Sequence, residues 1–519
     1  MEAAGTWYHG VGVGVGVILA LTTWIFLNHM WFKPKRIEKS LRAQGLKGSS
    51  YRFMFGDLKE TVLMTHQAKS KPIHLTDDIV PRVSPFYLKS IAAYGKICFT
   101  WLGPKPMVHI TEPEMIREIL NNYPVFQKSR GGNPLMRILV SGLLDTEAQQ
   151  WVKHRKIISP AFHVDKLKYM VPAFYVCCNE MIAKWEAMLT EGNSCEVDVW
   201  PHLQTMTNDV ISRAVFGSNF QEGRKIFDLQ QQLTELVLKA AQSMYIPGLR
   251  FLPTKSNKKI KEIDRKVKAS VKSIIDTRIV AMKAGENSND DLLGFLLNSN
   301  YQEIKQDRNK NSGLTTEEII EECKLFYLAG QETTLNFLVW TMVLLSQHTN
   351  WQIRARTEVL QVFGNNEPDF EGLGQLKVVN MIFNEVLRLY PPVINIDRKV
   401  HKETKLGNLM LAPGTLLKIN TLLLHHDREI WGNDVKEFNP ERFSEGVSKA
   451  TNGRLCYLPF GGGPRLCIGQ NFAILQAKMV LVMILRRFTF ELSPSYSHAP
   501  HIVLTLQSQL GAYLILRKR

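Results

Sequence analysis

Phe460 to Gly469 reads FGGGPRLCIG, three glycines, a proline and an arginine just ahead of one cysteine. A thiolate that binds a metal carries negative charge and needs donors aimed at it. Glycines have no Cβ, so backbone N–H groups can approach such a sulfur closely. From Ile468 through Met479 the residues follow a helical pattern, which predicts Cys467 at a helix N-terminus. There the dipole and free N–H groups stabilise an anion. Arg465 can reach an anionic group beside the metal, and Phe460 can shield the site from water. Together these residues predict a buried Cys467 thiolate as the axial ligand of a haem. The bland alternative is a Gly-Pro loop with an incidental cysteine.

Three other constellations carry chemistry. NEVLRL places Glu385 and Arg388 at i,i+3 on one helical face, by itself a common surface pair, and NPERF supplies Arg442 downstream. WVKHR sets Trp151 and Arg155 one turn apart, by itself an amphipathic helix with a basic face. AGQETT, Ala329 to Thr334, puts an acid and two threonines into an otherwise apolar run. Polar groups there cost stability unless they have a purpose, although threonine can bond back to the preceding turn.

These residues need elements to hold them. Leu314 to His348 reads as one long helix, opened by a Thr315–Glu318 capping box and apolar all round from Phe326, as a core helix is. The polar stretch from Lys283 to Gly313 reads as a surface connection around a short apolar helix, LLGFLL. Strand candidates cluster at Ile97–Ile110, at Leu406–Ile419 with a Pro413-Gly414 turn, and at the C-terminus. The expected fold is mainly α with small β-sheets. Val11 to Leu27 carries no charge and, continued to Phe32, approaches the ~20 residues a bilayer core requires. Lys33, Lys35, Arg36, Lys39 and Arg42 follow it, which predicts one N-terminal transmembrane helix with the remainder in the cytosol. Gly45 to Ser50 reads as a short hinge.

The chain has 519 residues, 45% of them hydrophobic and 22% charged, with a net charge of +16. That balance favours an acidic partner, an anionic cofactor or a membrane surface. The basic run from Lys255 to Lys268 is interleaved with Ile260, Ile263, Val267 and Val271 at helical spacing. It predicts an amphipathic helix with a solvated face, not a nucleic-acid site. The seven cysteines form no CxxC pair, which removes support for zinc and thioredoxin-like chemistry. No GxGxxG follows a βαβ pattern, so no flavin or nicotinamide site is read in this chain.

FGGGPRLCIG resembles the haem-binding signature of cytochromes P450, Phe-x-x-Gly-x-Arg-x-Cys-x-Gly, at Phe460, Gly463, Arg465, Cys467 and Gly469. The resemblance runs from the apolar N-terminus to the end of the chain. It implies one catalytic domain with the cytochrome P450 fold and haem b held by Cys467. It also implies that Trp151, Arg155 and Arg398 reach the haem propionates. The Glu385–Arg388 pair would be buried and meet Arg442, locking the cysteine loop. Ala329–Thr334 is similar to the family's oxygen-activation motif: Gly330 leaves room for dioxygen, Thr333 hydrogen-bonds it and an ordered water, and Glu332 relays protons. Retention of the acid-threonine pair implies a true monooxygenase. NADPH–cytochrome P450 reductase would be the electron donor, with cytochrome b5 as a second partner.

SKPIHLTDDIVPRVSPF, YGKICFTWLGPKPMVHI, VFQKS and RKIISPAFH resemble the plant clan that includes secologanin synthase and triterpenoid oxidases. This implies a small lipophilic terpenoid substrate, a triterpenoid or an iridoid/monoterpenoid. The alternatives are a brassinosteroid- or gibberellin-inactivating hydroxylase and, from another class, a haem protein that binds without oxygenating. By family position the pocket is drawn from Leu135–Ser141, Leu238–Met244, Phe326–Ala329, Val393–Ile396 and Gln507–Leu510. The expected organisation is a membrane anchor at 1–32, a basic linker at 33–50 and a catalytic domain at 51–519. The anchor would sit once in the endoplasmic reticulum membrane, with the catalytic domain facing the cytosol.

Overall fold

The computed structural model describes residues 2–129, 134–189, 193–217, 220–242, 254–285, 290–307 and 312–519. The chain divides into two compact units. The first comprises the residues up to Lys71, Asp78–Ser129 and Asn395–Leu424; the second comprises Pro72–Asp77, Arg130–Ile394 and His425–Arg519.

In the first unit, a helix at Glu2–Leu27 passes through a π-helical turn at Asn28–Phe32 into a helix at Lys33–Ala43. Val17, Ile18, Leu19, Leu21, Trp24 and Ile25 are exposed on it. Among the described residues, however, no helix is long and apolar enough to cross a membrane. The segment expected to be a transmembrane helix is an N-terminal helix with exposed apolar residues. Gly45–Ser50 holds a short strand, Lys47–Gly48, paired in parallel with Cys98–Phe99. A Cβ on Gly48 would stand 2.2 Å from the Phe99 carbonyl oxygen, so only glycine permits this approach.

The strand candidates of this unit form a mixed six-stranded sheet. Its order is Lys47–Gly48, Cys98–Leu102, Lys105–His109, Leu416–Asn420, Asn395–Val400, Phe126–Lys128. Gly414, at φ +89°, turns the chain into Leu416–Asn420.

The second unit is built around the expected long helix, Thr316–Gln347, with its Thr315–Glu318 capping box formed. Leu335 through Leu345 are all buried, as an apolar run without a polar face must be. The basic run is the helix Lys255–Lys283, with Ile260, Ile263, Val267 and Val271 buried and Lys259 and Lys266 both paired with Glu262. LLGFLL opens a longer helix, Leu292–Asp307. The C-terminal strands form a three-stranded sheet with Ser194–Asp198 and a hairpin, Pro500–Ile502 with Leu506–Ser508. Most of both units is helical, and the sheets are small.

Candidate active site

The cysteine loop takes its shape from glycine. Gly461 and Gly463 sit at φ +77° and +66°, conformations that side chains disfavour. The loop closes when the Cys467 N–H donates to the Phe460 carbonyl at 2.9 Å. The following helix runs Gln470–Arg487 with Gly469 as its N-cap, so Cys467 lies two residues ahead of the cap. Cys467 is exposed on this loop. The other cysteines are buried, Cys195 partly so, and none is disulfide-bonded. Burial pushes Cys98 and Cys177 up to about 12 and Cys456 up to about 11. Among the described cysteines Cys467 is the exposed one.

Beside it lie the predicted cations. Trp151 and Arg155 share the helix Ala148–Ile158. The Arg465 guanidinium stands 4.5 Å from the centre of the Trp151 ring. Burial pushes the Arg155 guanidinium down, while the Cys467 sulfur pulls it the other way. One buried and one half-buried guanidinium, an indole and a thiol on a glycine loop suit an iron cofactor that carries carboxylates. Glu147 escaped the sequence reading. It forms an ion pair with Arg465, which also donates to the Thr146 carbonyl at 3.3 Å. Arg398 belongs to the first unit, on the strand Asn395–Val400, opposite Leu417 and Lys128.

The helix carrying Trp151 and Arg155 is held on the long helix by a buried network that sequence reasoning missed. His154 Nδ1 lies 2.6 Å from Glu322 and its Nε2 3.3 Å from Glu318. Lys153 adds an ion pair to Glu318 at 3.4 Å. The signal was present as Glu318 and Glu322 at i,i+4 on the long helix. Lys156 is paired with Glu303 at 2.5 Å, so much of the basic face of this helix is neutralised within the chain.

Glu385 and Arg388 are wholly buried on the helix Lys377–Leu389. Arg388 grips Glu385 with two hydrogen bonds, 2.8 and 2.7 Å, and donates to the carbonyls of His425, Val435 and Glu437. Glu385 also accepts the Asn439 N–H at 3.0 Å, just ahead of the PERF turn. Arg442 meets the pair less closely than expected. It is 3.8 Å from Glu385, and its nearer partner is Asp434 at 2.6 Å. Asp434 intercepts it because Arg442 also donates to the Asp434 and Trp431 carbonyls on the same turn.

His425 links this cluster to the cysteine loop. Its Nε2 accepts the Leu458 N–H at 2.9 Å, so Nδ1 carries the proton and donates to the Arg388 carbonyl at 3.2 Å. Burial pushes this imidazole down to about 3. Tyr457 stacks on it and donates to the Asn384 carbonyl at 2.9 Å. Nothing in the sequence spacing singled His425 out.

On the long helix, Thr333 donates back to the Ala329 carbonyl at 2.6 Å. A Cβ on Gly330 would stand 2.5 Å from Ile211 Cδ1, so the smallness of Gly330 serves packing against the helix Val199–Phe216. Glu332 is mostly buried, and burial pushes its carboxyl above the usual range, with hydrogen bonds from Thr505 and Asn336 opposing the shift. Of the expected pocket segments, Leu135–Ile138 lies within a short 3₁₀ helix and Gln507–Ser508 within the C-terminal hairpin. Leu238–Met244 extends past the described residues.

Comparison with known proteins agrees with this geometry. The family model described as "Cytochrome P450" matches residues 81–509. Cytochrome P450 CYP72A219 of Panax ginseng is 58% identical over 501 residues, 96% of each chain. Cytochrome P450 72A397 of Kalopanax septemlobus is 54% identical over 95% of each, and Cytochrome P450 72A68 of Medicago truncatula 52% over 98% of this chain and 97% of its own. Among solved structures, a retinoic acid bound cyanobacterial CYP120A1 superposes with a TM-score of 0.72 over 84% of this chain and 94% of its own; at 24% identity it speaks for the fold. The chain belongs to the cytochrome P450 superfamily, in the plant CYP72 clan. It is a P450 monooxygenase, and the family's cofactor is a cysteine-ligated haem.

Proposed function

We propose that the chain oxygenates a small lipophilic terpenoid, a triterpenoid or an iridoid, with Cys467 as the haem ligand. The observation that carries the oxygenase part of this reading is the half-buried Glu332–Thr333 pair on the long helix, in the same unit as Cys467. The substrate class rests on the likeness of SKPIHLTDDIVPRVSPF and RKIISPAFH to the terpenoid-oxidising clan. When bound, the haem supplies the iron that activates dioxygen with two electrons from NADPH, delivered by a reductase.

The residues of the chain supply the rest. Arg155 and Arg465 would hold the propionates, with Trp151 packed on the Arg465 guanidinium. For Arg465 this means sharing or leaving Glu147. Arg388, Glu385 and His425 fix the backbone from which Cys467 projects. Thr333 can turn its hydroxyl from the Ala329 carbonyl toward a bound ligand, since back-bonding is weak and reversible. Glu332 carries protons inward. Burial raises its affinity for a proton, which suits a group that must take one as well as give it. The exposed apolar residues of the N-terminal helix support attachment to the endoplasmic reticulum membrane, with the remainder in the cytosol.

The test uses microsomes containing this chain and a plant reductase, supplied with NADPH and a pooled terpenoid and steroid extract. NADPH-dependent products heavier by one oxygen, labelled from oxygen gas, are expected among the terpenoids. Labelled products confined to the steroids would replace the terpenoid reading with the hormone hydroxylase. Removing residues 1–32 should release the protein from the membrane with its reduced carbon monoxide spectrum intact.

A further inference from the structure

Thr505 lies between the two strands of the C-terminal hairpin, and its hydroxyl donates to Glu332 Oε1 at 2.9 Å. Asn336, one turn along the long helix from Glu332, joins them. Its Nδ2 lies 2.8 Å from Thr505 Oγ1, 2.9 Å from the Glu332 carbonyl and 3.3 Å from Glu332 Oε1. The direction of this chain of hydrogen bonds is fixed. A backbone carbonyl can only accept, so the Asn336 atom facing it is the nitrogen, which can only donate. The Thr505 hydroxyl accepts from that nitrogen and passes its own proton to the carboxylate.

Both donors converge on one oxygen, which leaves Glu332 Oε2 with no hydrogen bond among the described residues. Thr505 is itself fixed. The next residue, Leu506, donates its N–H to the Pro392 carbonyl at 2.9 Å, and its carbonyl accepts from Trp340 Nε1 at 2.9 Å. Trp340 lies two turns beyond Glu332 on the same helix, so carboxylate and hydroxyl share one frame. Asn336 Oδ1 is buried with no hydrogen-bond partner, a cost an amide present only for packing has no reason to carry.

We propose that Thr505 is a positioning residue for Glu332: with Asn336 it pins Oε1, so that Oε2 alone accepts and releases the relayed proton. The proposal rests on Glu332 acting as the proton relay. Each cycle returns Thr505 and Asn336 unchanged, and the proton enters and leaves at Oε2.

The test follows the Glu332 carboxyl by infrared difference spectroscopy on the haem-loaded protein across pH, the band being the one lost in Glu332→Gln. Thr505→Val removes the donated hydrogen bond and keeps the shape. The carboxyl should then titrate about one unit higher, with Thr505→Ser restoring it. NADPH-dependent peroxide release per NADPH, in membranes with reductase and the terpenoid extract, should rise severalfold in Thr505→Val and not in Thr505→Ser. If Thr505→Val fails to load haem, Asn336→Leu serves in its place and should shift the band the same way. An unmoved band, in a variant set where Glu332→Gln does raise peroxide release, overturns the role of Thr505 and leaves the relay standing. Unchanged peroxide release in Glu332→Gln overturns the relay, and the proposal with it.

Discussion

Glu385→Gln should do disproportionate damage for a change of one atom. Glu385 has no solvent exposure and holds Arg388, equally buried, through hydrogen bonds of 2.8 and 2.7 Å. The amide removes the charge and turns at least one acceptor into a donor facing a guanidinium. Hydrogen bonds to charged groups contribute about 1.5–3 kcal/mol each, and stranding one member of a buried ion pair costs about 3–5 kcal/mol. The larger screened partner gives the contrast. Asp434, paired with Arg442, is 37% exposed, so Asp434→Asn should cost no more than about 1 kcal/mol. The assay is urea-driven loss of the carbon monoxide spectrum, together with haem bound per polypeptide. With a slope of about 3 kcal/mol per M, the midpoint for Glu385→Gln should fall by about 1–1.7 M. Haem loading should fall too, because Arg388 organises the carbonyls of His425, Val435 and Glu437 behind the cysteine loop. A midpoint within about 0.2 M of the parent, or an equal effect from Asp434→Asn, would refute burial as the source of the cost.

Three further outcomes are expected. Cys467→Ser should abolish the thiolate spectrum of the reduced carbon monoxide complex, and a retained spectrum would mean that another residue ligates the iron. Thr333→Ala loses only a back-bond to Ala329, so its thermal midpoint should hardly move while peroxide release per NADPH rises. Equal coupling in the two proteins would remove Thr333 from oxygen activation. The third concerns acid stability: the folded-state pKa of His425, about 3, lies below its unfolded value of 6.5. Between these values the unfolded chain binds more protons, so stability is full above 6.5 and falls as pH drops through the window. Between pH 6.5 and 4.5 this amounts to about 2–3 kcal/mol. His425→Gln should be less stable at neutral pH but lose stability less steeply with acid; an unchanged slope would show that His425 does not protonate on unfolding.

The local patterns were legible without coordinates. Thr315 and Glu318 mark the start of the long helix because a capping box is satisfied by residues three apart, whatever surrounds them. Ile260, Ile263, Val267 and Val271 reveal a buried stripe because helical period alone puts them on one side. The cysteine loop was readable because glycines at φ +77° and +66° leave a compositional trace. The long helix likewise announced its acid-threonine pair by placing polar residues in an apolar run.

The remainder depends on residues far apart in the chain. Glu147 meets Arg465 across 318 positions, and Thr505 meets Glu332 across 173. His425 becomes a bridge only once Arg388 and Leu458 stand on either side of it. Burial, too, was decided in three dimensions: Glu385 and Arg388, by spacing alone a common surface pair, are wholly buried, and Gly330 packs against Ile211. By itself the sequence determined which side chains could do chemistry and on which local elements they ride, because those follow from spacing along one helix or loop. Only the tertiary structure decided which distant donor each charge meets, because a hydrogen bond depends on a separation of about 3 Å that no local period encodes.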